Sequence, residues 1–306
     1  MGAGWALLWG MKTLRTIALM ALAAAMEGVH AQGGLLLNEL LYQPRSGEAE
    51  YVELYNPTNE AIDLADYQII RWVNGALGTS YPLPHHTVGA KDYVVLTKDA
   101  ASVTANYAGV LMGKVVECTL PPYPNDGGAV VLADAVGTVV ERLDYSSAMH
   151  SLLLRNKAGV SLERRSTERP CNEASNWFSA SSTAGYGTPT LPNSQSTEYL
   201  AEEADFELSS EIVSPDGDGY QDELAIDYRL EESDIHADMA IYDAGGRPVR
   251  RLLNAALLGT HGSIVWDGRG ERGSQLPQGR YVLVVKLYDL QGTRQTIRRH
   301  VSVVNP

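Results

Sequence analysis

The chain is poor in cysteine and in basic charge, and it has little continuous apolar sequence. Only two cysteines, Cys118 and Cys171, occur in 306 residues. They lie 53 positions apart, so no clustered thiolate spacing exists for a structural zinc site. Lysine and arginine together number 24 against 37 acidic residues, a net charge of −13. Such a chain repels nucleic acid and anionic lipid, and no basic stripe with interleaved aromatics offsets that repulsion. The longest purely apolar run, residues 17–26, has ten members, too few to cross a hydrocarbon layer of ~30 Å. Nucleotide-binding glycine loops, zinc-protease helices and nucleophile elbows have no match in a fitting context.

That apolar run has another reading. Lys12 and Arg15 precede it, and Val29–Gln32 reads VHAQ, a small-x-small site that predicts cleavage after Ala31. Residues 1–31 are therefore expected to be a cleaved signal peptide and the protein secreted or held at the cell surface, with no transmembrane segment in the mature chain. Translation starts at Met1 or Met11. Export would put Cys118 and Cys171 in an oxidising compartment and predicts a disulfide between them.

Period-two alternation dominates the remainder, and no long amphipathic helix is evident. LLLNELLYQ (35–43), EYVELYN (50–56), IDLADYQIIRW (62–72), DYVVLTK (92–98), GAVVLAD (128–134) and VSLERR (160–165) read as strands. Residues 181–198 turn Ser-, Thr-, Gly- and Pro-rich, with little to bury, and an acidic stretch follows. A domain boundary is placed there, giving a sandwich over 34–194, a linker over 195–205 and a second domain over 206–306. The second half holds about seven strands, with hairpin turns at DAGGRP (243–248) and DLQGTR (289–294). The predicted class is all-β, two sandwiches in tandem.

The first domain resembles the lamin-tail domain, an immunoglobulin-like sandwich. The resemblance rests on LLLNELLY, EYVELYNPTNEAIDLADYQI, YPLPHHTVGAKDYVVLTKD and the closing SLERRSTERPCNEASNWFSASSTAGYGTPTLPNS. The second domain, over 206–305, resembles the immunoglobulin-like domain of flagellar hook-capping proteins. It is similar also to the gliding-motility type of C-terminal domain on exported Bacteroidetes-type proteins. The pieces are SPDGDGYQDELAIDYRL, AIYDAGGRPVRRLL and VWDGRGERGSQLPQGRYVLVVKLYD. This second resemblance implies a structural module or a sorting address for type IX secretion, with the secretion machinery as a partner.

Candidate chemistry is sparse. SPDGDGYQDEL (214–224) places Asp216, Asp218, the Tyr220 carbonyl and Asp222 at positions 3, 5, 7 and 9 of an EF-type loop, with Gly219 at position 6. Ser214 at position 1 is a weak ligand, and Ala225 at position 12 supplies none. The loop is either a weak Ca²⁺ site or a metal-free turn. Alternation puts Glu53 on the face shared with Tyr51 and Tyr55, where it could neighbour Glu39 across strands. Paired carboxylates could do acid–base work, but the lamin-tail resemblance implies a structural polar position. His85, His86 and His150 read as surface histidines. The expectation is thus a non-enzymatic surface or extracellular protein serving adhesion, envelope or matrix assembly. Its partners would be a surface protein or a polysaccharide, or its own copies. The alternative is an accessory module of an extracellular hydrolase, or a degenerate one.

Overall fold

In the computed structural model, residues 34–304 are described. The expected signal peptide and its cleavage site lie outside them. Most described elements are strands; the one α-helix among the described residues, Ala100–Asn106, begins at Asp99, whose carboxylate accepts the Ser102 amide as an N-cap.

The first sandwich pairs a six-stranded sheet with a four-stranded one. The larger runs in the order Trp177–Ser179, Leu162–Arg164, Leu36–Leu41, Tyr51–Tyr55, Tyr93–Thr97, Val115–Glu117. The smaller runs Val139–Ser146, Gly127–Asp134, Tyr67–Val73, Ala76–Pro82. Period-two alternation aims Leu40, Val52, Leu54, Val94 and Leu96 inward, where they meet Ile69, Val130, Leu132 and Leu143. Arg164 spans the two sheets. Its Nη1 donates to Glu141 Oε1 at 2.9 Å and to the Leu37 carbonyl at 3.1 Å, and Glu141 Oε2 accepts the Leu37 amide at 2.7 Å.

The second sandwich pairs Asp205–Leu208, Leu224–Arg229 and His261–Trp266 with a five-stranded sheet ordered Ile212–Val213, Gly292–Val303, Gly279–Asp289, His236–Tyr242, Pro248–Leu257. Both hairpins expected here form. At the first, Asp243 accepts the Gly245 and Arg247 amides, and Gly246 takes φ +77°. Trp266 is fully buried in this core, and its indole donates to the Arg269 carbonyl.

The stretch expected to have little to bury does the opposite. Thr188, Thr190, Asn193, Ser194 and Gln195 are all buried. They belong to a strap, residues 186–195, that crosses the outer face of the six-stranded sheet. Its last residues also hold the second sandwich: the Thr260 amide donates to the Ser194 carbonyl at 2.8 Å and Gln195 Nε2 to the Leu258 carbonyl at 3.1 Å. The Ser182 amide donates to the Leu257 carbonyl at 2.8 Å.

Candidate functional site

The outer face of the six-stranded sheet carries a row of carboxylates. Register sets Glu39 opposite Glu53 on one side and opposite Glu163 on the other. All three are buried, at 1%, 0% and 0% exposure. A buried charge without partners would be very costly, and here the strap supplies the partners. Glu39 accepts from the Tyr51 hydroxyl at 2.6 Å, from the Ser161 hydroxyl, and from the Thr188 amide at 3.0 Å. Glu53 accepts from the Asn38 amide group at 2.8 Å and from the Thr190 amide at 2.5 Å. Glu163 accepts from the Thr188 and Ser194 hydroxyls and the Gln195 amide, each at 2.8 Å. Asn193 completes the layer, its side chain bonding Asn38 and the Arg164 carbonyl.

Burial raises the proton affinity of all three acids, and the Glu39 charge adds to it at Glu53 and Glu163. Glu163 is pushed up to about 8. The strap must lie close to deliver its donors. A Cβ on Gly187 would meet the Tyr107 ring at 2.4 Å and the Tyr51 hydroxyl at 2.8 Å, so only glycine fits. Tyr186 and Thr190 are held at φ +70° and +72°, an uncommon region for residues with a Cβ and most so for a β-branched one.

Glu39 and Glu53 thus meet as alternation predicts. Sequence reasoning missed Glu163, which was absorbed into the strand VSLERR. It missed the strap too, because composition alone shows polar residues and not what receives them.

The structure brings Asp216, Asp218 and Asp222 together, with one oxygen of each within 4.8 Å of the others. Each already serves the loop's own backbone. Asp222 accepts the Gly217 and Gly219 amides at 2.6 and 2.7 Å, Asp216 accepts the Asp218 amide, and Asp218 accepts the Tyr220 amide. Their remaining lone pairs fit a hard cation only in part, since three carboxylates fall short of the usual 6–8 oxygens. The Tyr220 side chain is 70% exposed.

Cys118 and Cys171 are not brought together; both are free thiols. Cys118 follows Val115–Glu117 at one edge of the six-stranded sheet, and Cys171 accepts through its carbonyl from Trp177 on the opposite edge strand. The Cys171 thiol lies beside Glu141, which is itself bonded to Leu37 and Arg164, away from the edge that Cys118 follows. The expected bridge is not formed here, since membership of one domain does not by itself bring two cysteines together.

His85 is exposed and bonds Asp63 at 2.9 Å. His150, by contrast, is buried, with Nδ1 at 2.8 Å from the Ser179 hydroxyl. Next to it the Ser151 hydroxyl donates to Asp234 at 2.9 Å and lies 3.2 Å from His236 Nε2. The hydroxyl sits between acid and base, and the histidine is not the bridge between them. This is a seam between the two sandwiches and lacks the order of a catalytic triad.

Residues 29–147 match the family model of the lamin tail domain, and residues 207–303 match that of the CHU_C type IX secretion signal domain. The chain carries a lamin tail domain followed by a type IX secretion signal domain. The terminal module therefore belongs with type IX signals, and the hook-capping comparison was the looser of the two. No curated protein matches the chain. Among solved structures it is similar to dimeric latent PorU from Porphyromonas gingivalis, at 12% identity and TM-score 0.28, over 89% of this chain and 20% of that one. It is similar to PorZ, an essential surface component of the type IX secretion system of the same organism, at 12% identity and TM-score 0.27, over 87% and 30%. Chicken CNTN1 FN1–FN3 domains match at 11% identity and TM-score 0.22, over 89% and 65%. The chain thus spans less than a third of PorU and of PorZ. The secretion signal domain points to export and to a cell-surface or extracellular location. Among the described residues, no helix is long and apolar enough to cross a membrane.

Proposed function

We propose that this is a non-enzymatic surface or extracellular protein in which the lamin tail domain is the binding module and the secretion signal domain its address. The observation that carries the reading is the tandem arrangement, a lamin tail domain ahead of a type IX secretion signal domain. The carboxylate row supports the non-catalytic half. Glu39, Glu53 and Glu163 are covered by the strap, and each is bonded to it. A general acid or base needs reach to a substrate proton.

The test is cellular. Deleting 206–306 should strand the protein inside the cell envelope, and appending 196–306 to a periplasmic reporter should bring the reporter to the surface, read by protease shaving of intact cells. Normal surface delivery of the truncated chain would remove the sorting role.

A further inference from the structure

Beyond the carboxylate row, on the same face of the six-stranded sheet, lies a cleft of about 460 Å³. It is bounded by the strap, by the segment following Leu162–Arg164 and by the turn Thr197–Tyr199. Its volume is in the range of small-ligand sites. Three tyrosines shape it. Tyr55 and Tyr93 stand cross-strand with ring centroids 4.8 Å apart and planes inclined by 30°, forming one continuous aromatic wall. Tyr199 is fixed from behind by His261, at 4.1 Å between centroids. Burial raises the Tyr55 and Tyr93 hydroxyls, and Glu198 and Tyr199 add to the rise at both, which places the acid and the third ring beside that wall.

Several polar groups facing this cleft are uncommitted. The hydroxyls of Tyr55, Tyr93 and Tyr199 and the carboxylates of Glu168 and Glu198 have no hydrogen-bond partner among the described residues. Arg165 Nε is buried and unpartnered, and its Nη1 donates to the Ser175 carbonyl. Arg164 is consumed by Glu141 and by the Ser166 and Arg169 carbonyls. This inventory excludes several ligand classes. An apolar ligand would leave the hydroxyls and carboxylates buried without partners, at about 1–3 kcal/mol each. A polyanion would meet Glu168, Glu198 and a chain of net charge −13. A cation would meet Arg165 in the lining.

We infer that this cleft binds a neutral saccharide unit of a polysaccharide. The apolar face of a pyranose ring would lie on the Tyr55–Tyr93 wall or on Tyr199, whose rings offer rigid apolar area with a polar tip. Vicinal sugar hydroxyls would donate to Glu168 and Glu198 and accept from the tyrosine hydroxyls. The inference names a ligand class for the binding module proposed above and rests on that reading for its setting; the cleft itself is tested without cells.

The experiment is native affinity electrophoresis of the full chain through gels containing soluble β-glucan, galactomannan or pullulan. Polygalacturonate and chitosan serve as charged comparators. At least one neutral polysaccharide should retard the protein, and Tyr93→Ala and Tyr199→Ala should weaken that retardation at least tenfold. Should these variants melt early, Tyr199→Phe and Glu198→Gln keep the shape and should still weaken it severalfold. Three results would overturn the inference: no neutral polysaccharide retards the chain, these substitutions leave retardation unchanged, or only a charged comparator retards it. Surface delivery is read separately, so a chain that binds but stays inside overturns the display reading alone.

Discussion

Glu39 and Glu163 stand directly opposite one another across adjacent strands, and one hydroxyl, Thr188 Oγ1, lies within hydrogen-bond reach of both, at 3.2 and 2.8 Å. Like charges in that position destabilise a sheet. Protonation relieves the conflict, and this is why pH should act on the fold.

Burial holds the folded-state pKa of Glu39, Glu53 and Glu163 above the ordinary carboxylate value, with Glu163 at about 8. A raised folded pKa means that the native state binds the extra protons. The stability contributed by these groups is fully present below the unfolded pKa of ~4.3 and is lost as pH rises through the folded value. Burial also depresses His236, and it depresses His150 to about 4, so these two oppose folding as pH falls below ~6.5. The melting temperature should therefore climb as pH drops from 9 to 6.5, in thermal scans at constant ionic strength. Glu163→Gln keeps the acceptor but cannot ionise, and should flatten the climb. A wild-type curve that rises with pH in this window would contradict the account.

Removing the carboxylate altogether is a different experiment. Glu163→Ala leaves the Ser194 hydroxyl and the Gln195 amide without their acceptor, while the Thr188 hydroxyl keeps Glu39. Each orphaned buried group costs about 1–3 kcal/mol, so chemical denaturation should show a loss of at least about 2 kcal/mol. Gly187→Ala should lift the strap by clashing with Tyr107 and Tyr51, at a cost of about 1–3 kcal/mol.

Arg164 and Glu141 are 1% and 11% exposed at their side chains. Breaking such a pair from one side strands the other charge, at about 3–5 kcal/mol. Arg164→Ala should lose that much, and the double variant with Glu141→Ala should lose less than the sum of the two single losses, in a double-mutant cycle.

The thiols should be inert and reduced. Burial pushes Cys171 far up and Cys118 to about 11, away from thiolate reactivity. Intact mass after alkylation should show no labelling of native protein and two labels after unfolding. A melting curve shifted by reductant would restore the bridge.

The calcium reading of the aspartate loop is a proposal with its own test. Weak binding at ~10⁻⁴–10⁻³ M should raise the melting temperature in millimolar calcium over chelator, and Asp218→Ala should abolish the rise. Identical curves would leave Asp216, Asp218 and Asp222 as turn-forming acceptors only.

Much of this architecture was legible in alternation and turn residues, because a strand's two faces are written every second residue. Glu53 and Glu39 were found that way, as were both hairpins of the second sandwich. The Arg164–Glu141 bridge was not, since it joins residues 23 positions apart on different sheets. Nor was the burial of Thr188, Thr190, Asn193, Ser194 and Gln195. A Ser/Thr/Pro segment reads as solvated until a row of acceptors is known to lie beneath it. The cleft escaped for the same reason: Tyr55, Tyr93 and Tyr199 converge only through strand order and a turn.

Ser194 gives its hydroxyl to Glu163 and its carbonyl to the Thr260 amide of the second sandwich. One residue is thus fastened on both sides, to the acid row of one module and to the backbone of the next. A signal joined in this manner is not a tag dangling from its cargo. Whatever receives the terminal module must accept the lamin tail domain in a fixed attitude beside it, and a protease seeking a slack joint between residues 186 and 195 will find none until Glu163 lets go.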